Sequence, residues 1–221
     1  MKILQIIMSH REALPTVERH KPIWMSVTKN TIFVSPINSL MGVKNEAAIG
    51  FRQHHGELSA QRIVGIFDLA NHLNNWDYLL LNEYDSFALS LPEDVISEAG
   101  GISAAAYKQN KPDKFKAGFY VNYPILFTKE AVRKIRIHLP NIKSLDRYYS
   151  DRFIGRAIEI GGIPIKNLRR NKRAFTKNTI LPEHYDKLRK AVKAKCVFFH
   201  GVKNLEVLSQ IIEIPVLRPI K

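Results

Sequence analysis

The stretch Asp77-Tyr78-Leu79-Leu80-Leu81-Asn82-Glu83-Tyr84-Asp85 decides the fold. Tyr78 to Leu81 is a short apolar run without alternation. It predicts a strand buried on both faces, as in the middle of a parallel sheet. A buried helix segment is the rival reading, but the shortness of the run and the break at Asn82 favour a strand. Glu83 and Asp85 follow, separated by Tyr84. Residues i and i+2 of an extended chain point to the same side. A strand that continues through Asp85 therefore aims both carboxylates into one place at its carboxyl end, where open α/β sheets bind ligands. Two acids held that close repel unless a proton or a cation lies between them. A hard divalent cation, Mn²⁺ or Mg²⁺, suits such oxygen ligands. A strand end followed by a solvated acidic turn gives the same triplet, so the rest of the chain must decide.

Working outward, the 221 residues suit one α/β domain. A hydrophobic fraction of 45% supplies a real core. The lone Cys196 excludes an internal disulfide framework and fits a reducing compartment. The apolar run Ile3 to Met8 is too short to span a membrane and reads as the first core strand; no later run approaches spanning length. The net charge of +14 points to polyanionic partners or anionic substrates. No zinc-finger spacing, RRM aromatic signature or KH-type GxxG loop accompanies it, which argues against a stable nucleic-acid complex.

Around the central strand, the first strand is followed by Ser9-His10-Arg11-Glu12 and then by Pro15, which opens a helix with apolar spacing to Trp24. Strand, polar turn and helix make a nucleotide-binding opening. Thr31 to Val34 predicts a second strand, and residues 38–56 a polar loop. Ser59 to Leu73 carries Ile63, Ile66, Phe67, Ala70 and Leu73 at helical spacing. Arg62 lies near that helix's start, where phosphate binding is natural; a solvated arginine reads the same way. Residues 93–109, rich in Gly and Ala, predict loose helix. Phe119 to Phe127 predicts a strand kinked at Pro124, and Thr128 a helix cap. Ser150-Asp151-Arg152-Phe153-Ile154-Gly155 opens another helix. Lys166 to Lys177 is a basic run around Phe175 without the aromatic interleaving of a single-strand platform, and it predicts a mobile loop at about 166–178. Val197 to Phe199 is the last strand, followed by His200-Gly201-Val202-Lys203, with residues 204–221 as a tail.

An apolar strand ending in E-x-D resembles the metal motif of GT-A-fold glycosyltransferases, and the further motifs fall in that family's order. The resemblance covers about Lys2 to Lys203. It implies a single GT-A-like (Rossmann-like) α/β domain with a mixed, mostly parallel central sheet flanked by helices. It also implies transfer from a nucleoside diphosphate sugar, a UDP-sugar by preference, to a hydroxyl of a glycan or lipid-linked acceptor. Glu83 and Asp85 would hold Mn²⁺ or Mg²⁺, and His200 would complete the metal shell. Lys203 would lie near the phosphates, where Gly201 permits close approach. Ser9, His10 and Arg11 would border the nucleoside, and Arg62 would reach the donor. Ser150-Asp151 is similar to an E-D pair that opens a helix in inverting members. Serine replaces the glutamate, Asp151 is the implied base, and Asp146 competes with it. Golgi-type members carry an anchor, and none is read here, which points to a cytoplasmic protein. Two other classes stay open. A basic nucleic-acid-binding module makes the acidic pair incidental. A nucleotidyltransferase also needs clustered carboxylates, but usually a glycine-rich loop after the first strand as well, and residues 9–14 contain no glycine.

Overall fold

A computed structural model describes residues 1–49, 59–91, 93–98, 104–109, 120–139, 150–168, 173–177 and 179–203. In chain order the elements are β1 (Ile3–Met8), α1 (Leu14–Val27), β2 (Thr31–Pro36), β3 (Glu46–Ile49), α2 (Ser59–Leu73), β4 (Tyr78–Glu83), β5 (Ser86–Ala88), α3 (Glu93–Glu98), β6 (Ala104–Gln109), β7 (Tyr120–Thr128), α4 (Lys129–His138), α5 (Ser150–Ile160), β8 (Ile165–Asn167), β9 (Ala174–Thr176), α6 (Tyr185–Lys193) and β10 (Phe198–His200). Seven strands form one sheet in the order β3-β2-β1-β4-β7-β6-β8, and three form a second in the order β5-β10-β9.

The large sheet is mixed and mostly parallel. β1 lies between β2 and β4, parallel to both, while β7 runs antiparallel to β4 and to β6. The apolar runs are central because both their faces are covered. Leu79 and Leu81 of β4 join the core beneath α2, α4 and α5, and Leu80 joins the core on the opposite face. Each such buried side chain contributes about 1.5–3 kcal/mol. Helix α2 seals its face with Ile63, Ile66, Phe67 and Ala70, and Phe67 meets Phe127 edge to face. On the other face, α1 packs Val17, Ile23 and Trp24 against Ile7, Phe33, Phe87 and Phe199. The Trp24 indole N–H donates to the Ser86 carbonyl at 2.9 Å, which ties α1 to the small sheet. Thr128 caps α4 by accepting from the Ala131 N–H at 3.1 Å, as its sequence position predicts.

Several expectations are corrected. β4 does not continue through Asp85: it ends at Glu83, and Tyr84-Asp85 form a turn into β5. The loop expected at 38–56 contains β3, which pairs parallel with β2. In the described part of the stretch 93–109, expected as loose helix, only α3 is helical. Ala104-Ala105-Ala106 belongs to β6, paired with β7 on one side and β8 on the other. Alanine's helix preference is worth at most about 0.7 kcal/mol per residue over ordinary residues, and two hydrogen-bonded neighbours outweigh it. The β6–β7 register shifts between Ala106 and Tyr107, across the stretch of β7 that holds Pro124, which cannot donate to a ladder. The basic run expected as a loop carries β8 and β9 within its described part, and Phe175 packs near Phe199 at 6.5 Å between ring centroids. Asp146, residues 169–172 and the expected tail 204–221 lie outside the described residues. Among the described residues no helix is long and apolar enough to cross a membrane.

Candidate active site

The site grows from the turn after β4. The Ser86 hydroxyl accepts from the Glu83 N–H at 2.8 Å and donates to the Glu83 carbonyl at 3.1 Å, which closes the chain tightly around Tyr84 and Asp85. β5 leaves that turn and pairs antiparallel with β10, with Ser86 opposite His200. The Val202 N–H donates to the Asp85 carbonyl at 3.0 Å, and Gly201 at φ +82° permits the bend after β10. His200 is thus the last residue of β10 rather than the first of a loop, and its ring is delivered to the acidic pair by sheet pairing.

His200 Nε2 lies 3.6 Å from Asp85 Oδ1 and 3.7 Å from Glu83 Oε2. One ligand atom from each of Glu83, Asp85 and His200 falls within 4.8 Å of the others. The chemistry of this set fits a divalent cation. Asp85 is buried and its Oδ1 has no hydrogen-bond partner, as does the buried Nδ1 of His200. Burial, then the Asp85 charge, pushes the Glu83 carboxyl up to about 8. Burial also holds His200 below the ordinary histidine value, so its ring is neutral and free to ligate at neutral pH.

The other expected residues are distributed unevenly around this cluster. Asp151 lies in the first turn of α5, where the Arg152 N–H donates to its Oδ1 at 2.8 Å; its charge acts on Glu83 and His200. Burial raises its carboxyl above the ordinary aspartate value. Arg62 donates through Nη2 to the Ser9 carbonyl at 3.1 Å and faces Glu83, so its guanidinium is engaged at the base of the site. Ser9 is buried at the end of β1, and the His10 ring meets Tyr84 edge to face at 5.1 Å. Arg11 is exposed, and it is its backbone N–H that is engaged, by Ser39. Lys203 is exposed, and its charge is felt at His200.

Sequence reasoning missed four residues of the site. Tyr84 is the spacer of the E-x-D triplet. Ser150 donates to Glu83 Oε1 at 3.3 Å. Tyr123 is buried facing Glu83 and Ser150. His20 is buried between Trp24 and Phe87 and donates from Nδ1 to the Thr16 carbonyl at 2.8 Å; the Asp85 charge acts on its ring. Only the alternation of β7 could have flagged one of these, by placing Tyr123 on the same face as Val121 and Ile125.

The lifted carboxyl of Glu83 has a cost in the metal-free protein. Its folded-state value, about 8, lies above the ordinary 4.5. The associated stability is full below the ordinary value and is lost as pH rises through the folded one. Glu83→Gln, isosteric with the protonated form, should therefore stabilise the chelator-treated protein at alkaline pH, by about 1–2 kcal/mol after solvent screening. It should leave stability near pH 4 unchanged. Calorimetric melting of both proteins at the two pH values checks this; equal midpoints under alkaline conditions would show that the carboxylate is not strained.

No family model matches the chain, and no curated protein matches it significantly in sequence. Among solved structures, a glycosyltransferase involved in the glycosylation of the major capsid of PBCV-1 superposes with a TM-score of 0.54 at 10% identity, covering 98% of this chain and 100% of that one. The chain has a GT-A fold. The bifunctional glycosyltransferase WbbM in its apo form gives a TM-score of 0.52 at 13% identity over 90% of this chain and 45% of that one. A likeness to 4-diphosphocytidyl-2C-methyl-D-erythritol synthase, with a TM-score of 0.46 at 14% identity over 87% of this chain and 100% of that one, carries no weight. Within the GT-A fold the acidic turn sits at the carboxyl end of β4, beside the carboxyl end of its parallel neighbour β1.

Proposed function

We propose that the protein is a metal-dependent glycosyltransferase that moves a sugar from a nucleoside diphosphate donor, a UDP-sugar, to a hydroxyl of a glycan or lipid-linked acceptor, with inversion. The observation that carries this reading is the convergence of Glu83, Asp85 and His200 at the carboxyl end of β4 in a GT-A fold. These three residues would hold Mn²⁺ or Mg²⁺, which when bound supplies Lewis-acid stabilisation of the departing diphosphate. Ser9 and His10, at the end of β1, border the space next to the turn. Lys203 adds positive charge beyond Gly201, where the backbone can approach a phosphate. Arg62, which donates to the Ser9 carbonyl at the floor of the site, would add positive charge towards the donor.

Asp151 is the base. Burial makes its carboxylate more basic than usual, which suits it to accept a proton. The acceptor oxygen gives up that proton as it bonds to the anomeric carbon, and the carbon–oxygen bond to the diphosphate breaks on the opposite face, its electrons leaving with the diphosphate.

The test is a calorimetric titration of a panel of nucleotide sugars, with Mn²⁺ and with chelator. Binding of a UDP-sugar that disappears with chelator is expected. Equal affinity without metal overturns the metal-dependent reading, and consumption of a nucleoside triphosphate would redirect it to nucleotidyl transfer.

A further inference from the structure

We propose that Ser150 is a positioning residue for the metal site: its hydroxyl pins one oxygen of the Glu83 carboxylate so that the other is aimed at the ion. This rests on reading Glu83, Asp85 and His200 as a metal site. The two carboxylate oxygens already have separate destinations. Oε1 accepts from the Ser150 hydroxyl at 3.3 Å, and Oε2 points to His200 Nε2 at 3.7 Å.

The device is needed because Glu83 has a competing attraction. Arg62 reaches it from α2 as a buried guanidinium whose Nε has no hydrogen-bond partner. A carboxylate free to turn about its last torsions would close on that guanidinium in a charge-assisted pair and withdraw from Asp85 and His200. Ser150, bonded to Oε1, resists this turn. It is the first residue of α5, a helix anchored in the core by Phe153, Ile154 and Ala157, so its hydroxyl is carried by a rigid element. From β7, the Tyr123 side chain is buried beside the Ser150–Glu83 pair, which acts on its hydroxyl. Residues of three elements thus act on Glu83, and its Oε2 lies towards His200. Here the serine in place of an acid at the start of α5 acts through Glu83, and Asp151 beside it stays available for the acceptor.

The test uses Mn²⁺ alone as the probe, on the full chain, with affinity read by calorimetry and by electron paramagnetic resonance of the free ion. Ser150→Ala should weaken Mn²⁺ binding about 10–100-fold, the range for removing an outer-shell partner. Ser150→Thr, which keeps the hydroxyl, should restore it. Ser150→Cys, near in size but a weak donor, should fall between the two and covers the case in which the alanine variant folds poorly. In a Glu83→Gln background the alanine substitution should add nothing, because its effect passes through that carboxylate; a purely structural role would persist there. Wild-type binding of Mn²⁺ with equal binding by Ser150→Ala overturns the positioning role and leaves the metal site standing. Absence of Mn²⁺ binding by the wild-type protein overturns both.

Discussion

Asp85→Ala should abolish Mn²⁺-dependent nucleotide binding while leaving the fold intact. The side chain contributes little to the architecture. Its Oδ1 is buried without a hydrogen-bond partner, and the structural contact at this residue is the backbone carbonyl that accepts from Val202. Alanine keeps that carbonyl, so the thermal midpoint of the metal-free protein should hold. Binding should fall. Asp85 is the most deeply buried of the three candidate ligands and lies 3.6 Å from His200 Nε2, so its loss leaves one histidine and one carboxylate, too few ligands to replace a metal's water. Nucleotide affinity in Mn²⁺ should drop to the level seen with chelator, a loss beyond the roughly 10–100-fold typical of outer-shell changes. Unchanged Mn²⁺-dependent affinity in a folded variant would remove Asp85 from the site.

The second large effect is expected at Asp151. Asp151→Asn should reduce turnover by about 10²–10⁴-fold, the usual worth of a positioned base. Donor affinity should barely move, since the residue is assigned to the acceptor. Its carboxyl is raised above the ordinary aspartate value of 3.8, with burial the first cause. The acidic limb of kcat/KM should therefore lie above that value in the wild type and vanish in the asparagine variant. Near-normal turnover would clear Asp151 and make Asp146 the next suspect. Retention of the anomeric configuration in the product would contradict the base assignment even if Asp151 proved essential.

What the sequence revealed depended on whether an element carries its own signal. β1 and β4 were legible as short continuous apolar runs, α2 and α4 by apolar residues at helical spacing, and α2 was read at its observed bounds, Ser59 to Leu73. β3, β5 and β6 were not. β5 is three residues long and exists only because β10 pairs with it. In β6, alanines favour helix locally and yield to two flanking strands. The candidate site followed the same division. Glu83 and Asp85 stood out as adjacent acids, though a turn rather than continued strand brings them together. His200 was connected to them only through motif order. Tyr123, Ser150 and His20 were not legible as partners of Glu83 and Asp85, because that relation is made by packing across elements distant in sequence.

The dependence of β5 on β10 also sets an order of events during synthesis. Glu83 and Asp85 leave the ribosome with the first half of the protein, when Phe87 and Ala88 of β5 have no strand to cover them. His200 and Phe199 arrive only after α6 has been made. Until then a nascent chain carries two acids without the histidine, and an apolar edge of the kind that invites chaperones. The candidate ligand set is therefore completed late, when the same pairing that buries Phe87 against Phe199 at 5.6 Å also delivers the imidazole. A chain interrupted before β10 would lack the imidazole of the candidate ligand set and leave Phe87 without the Phe199 ring.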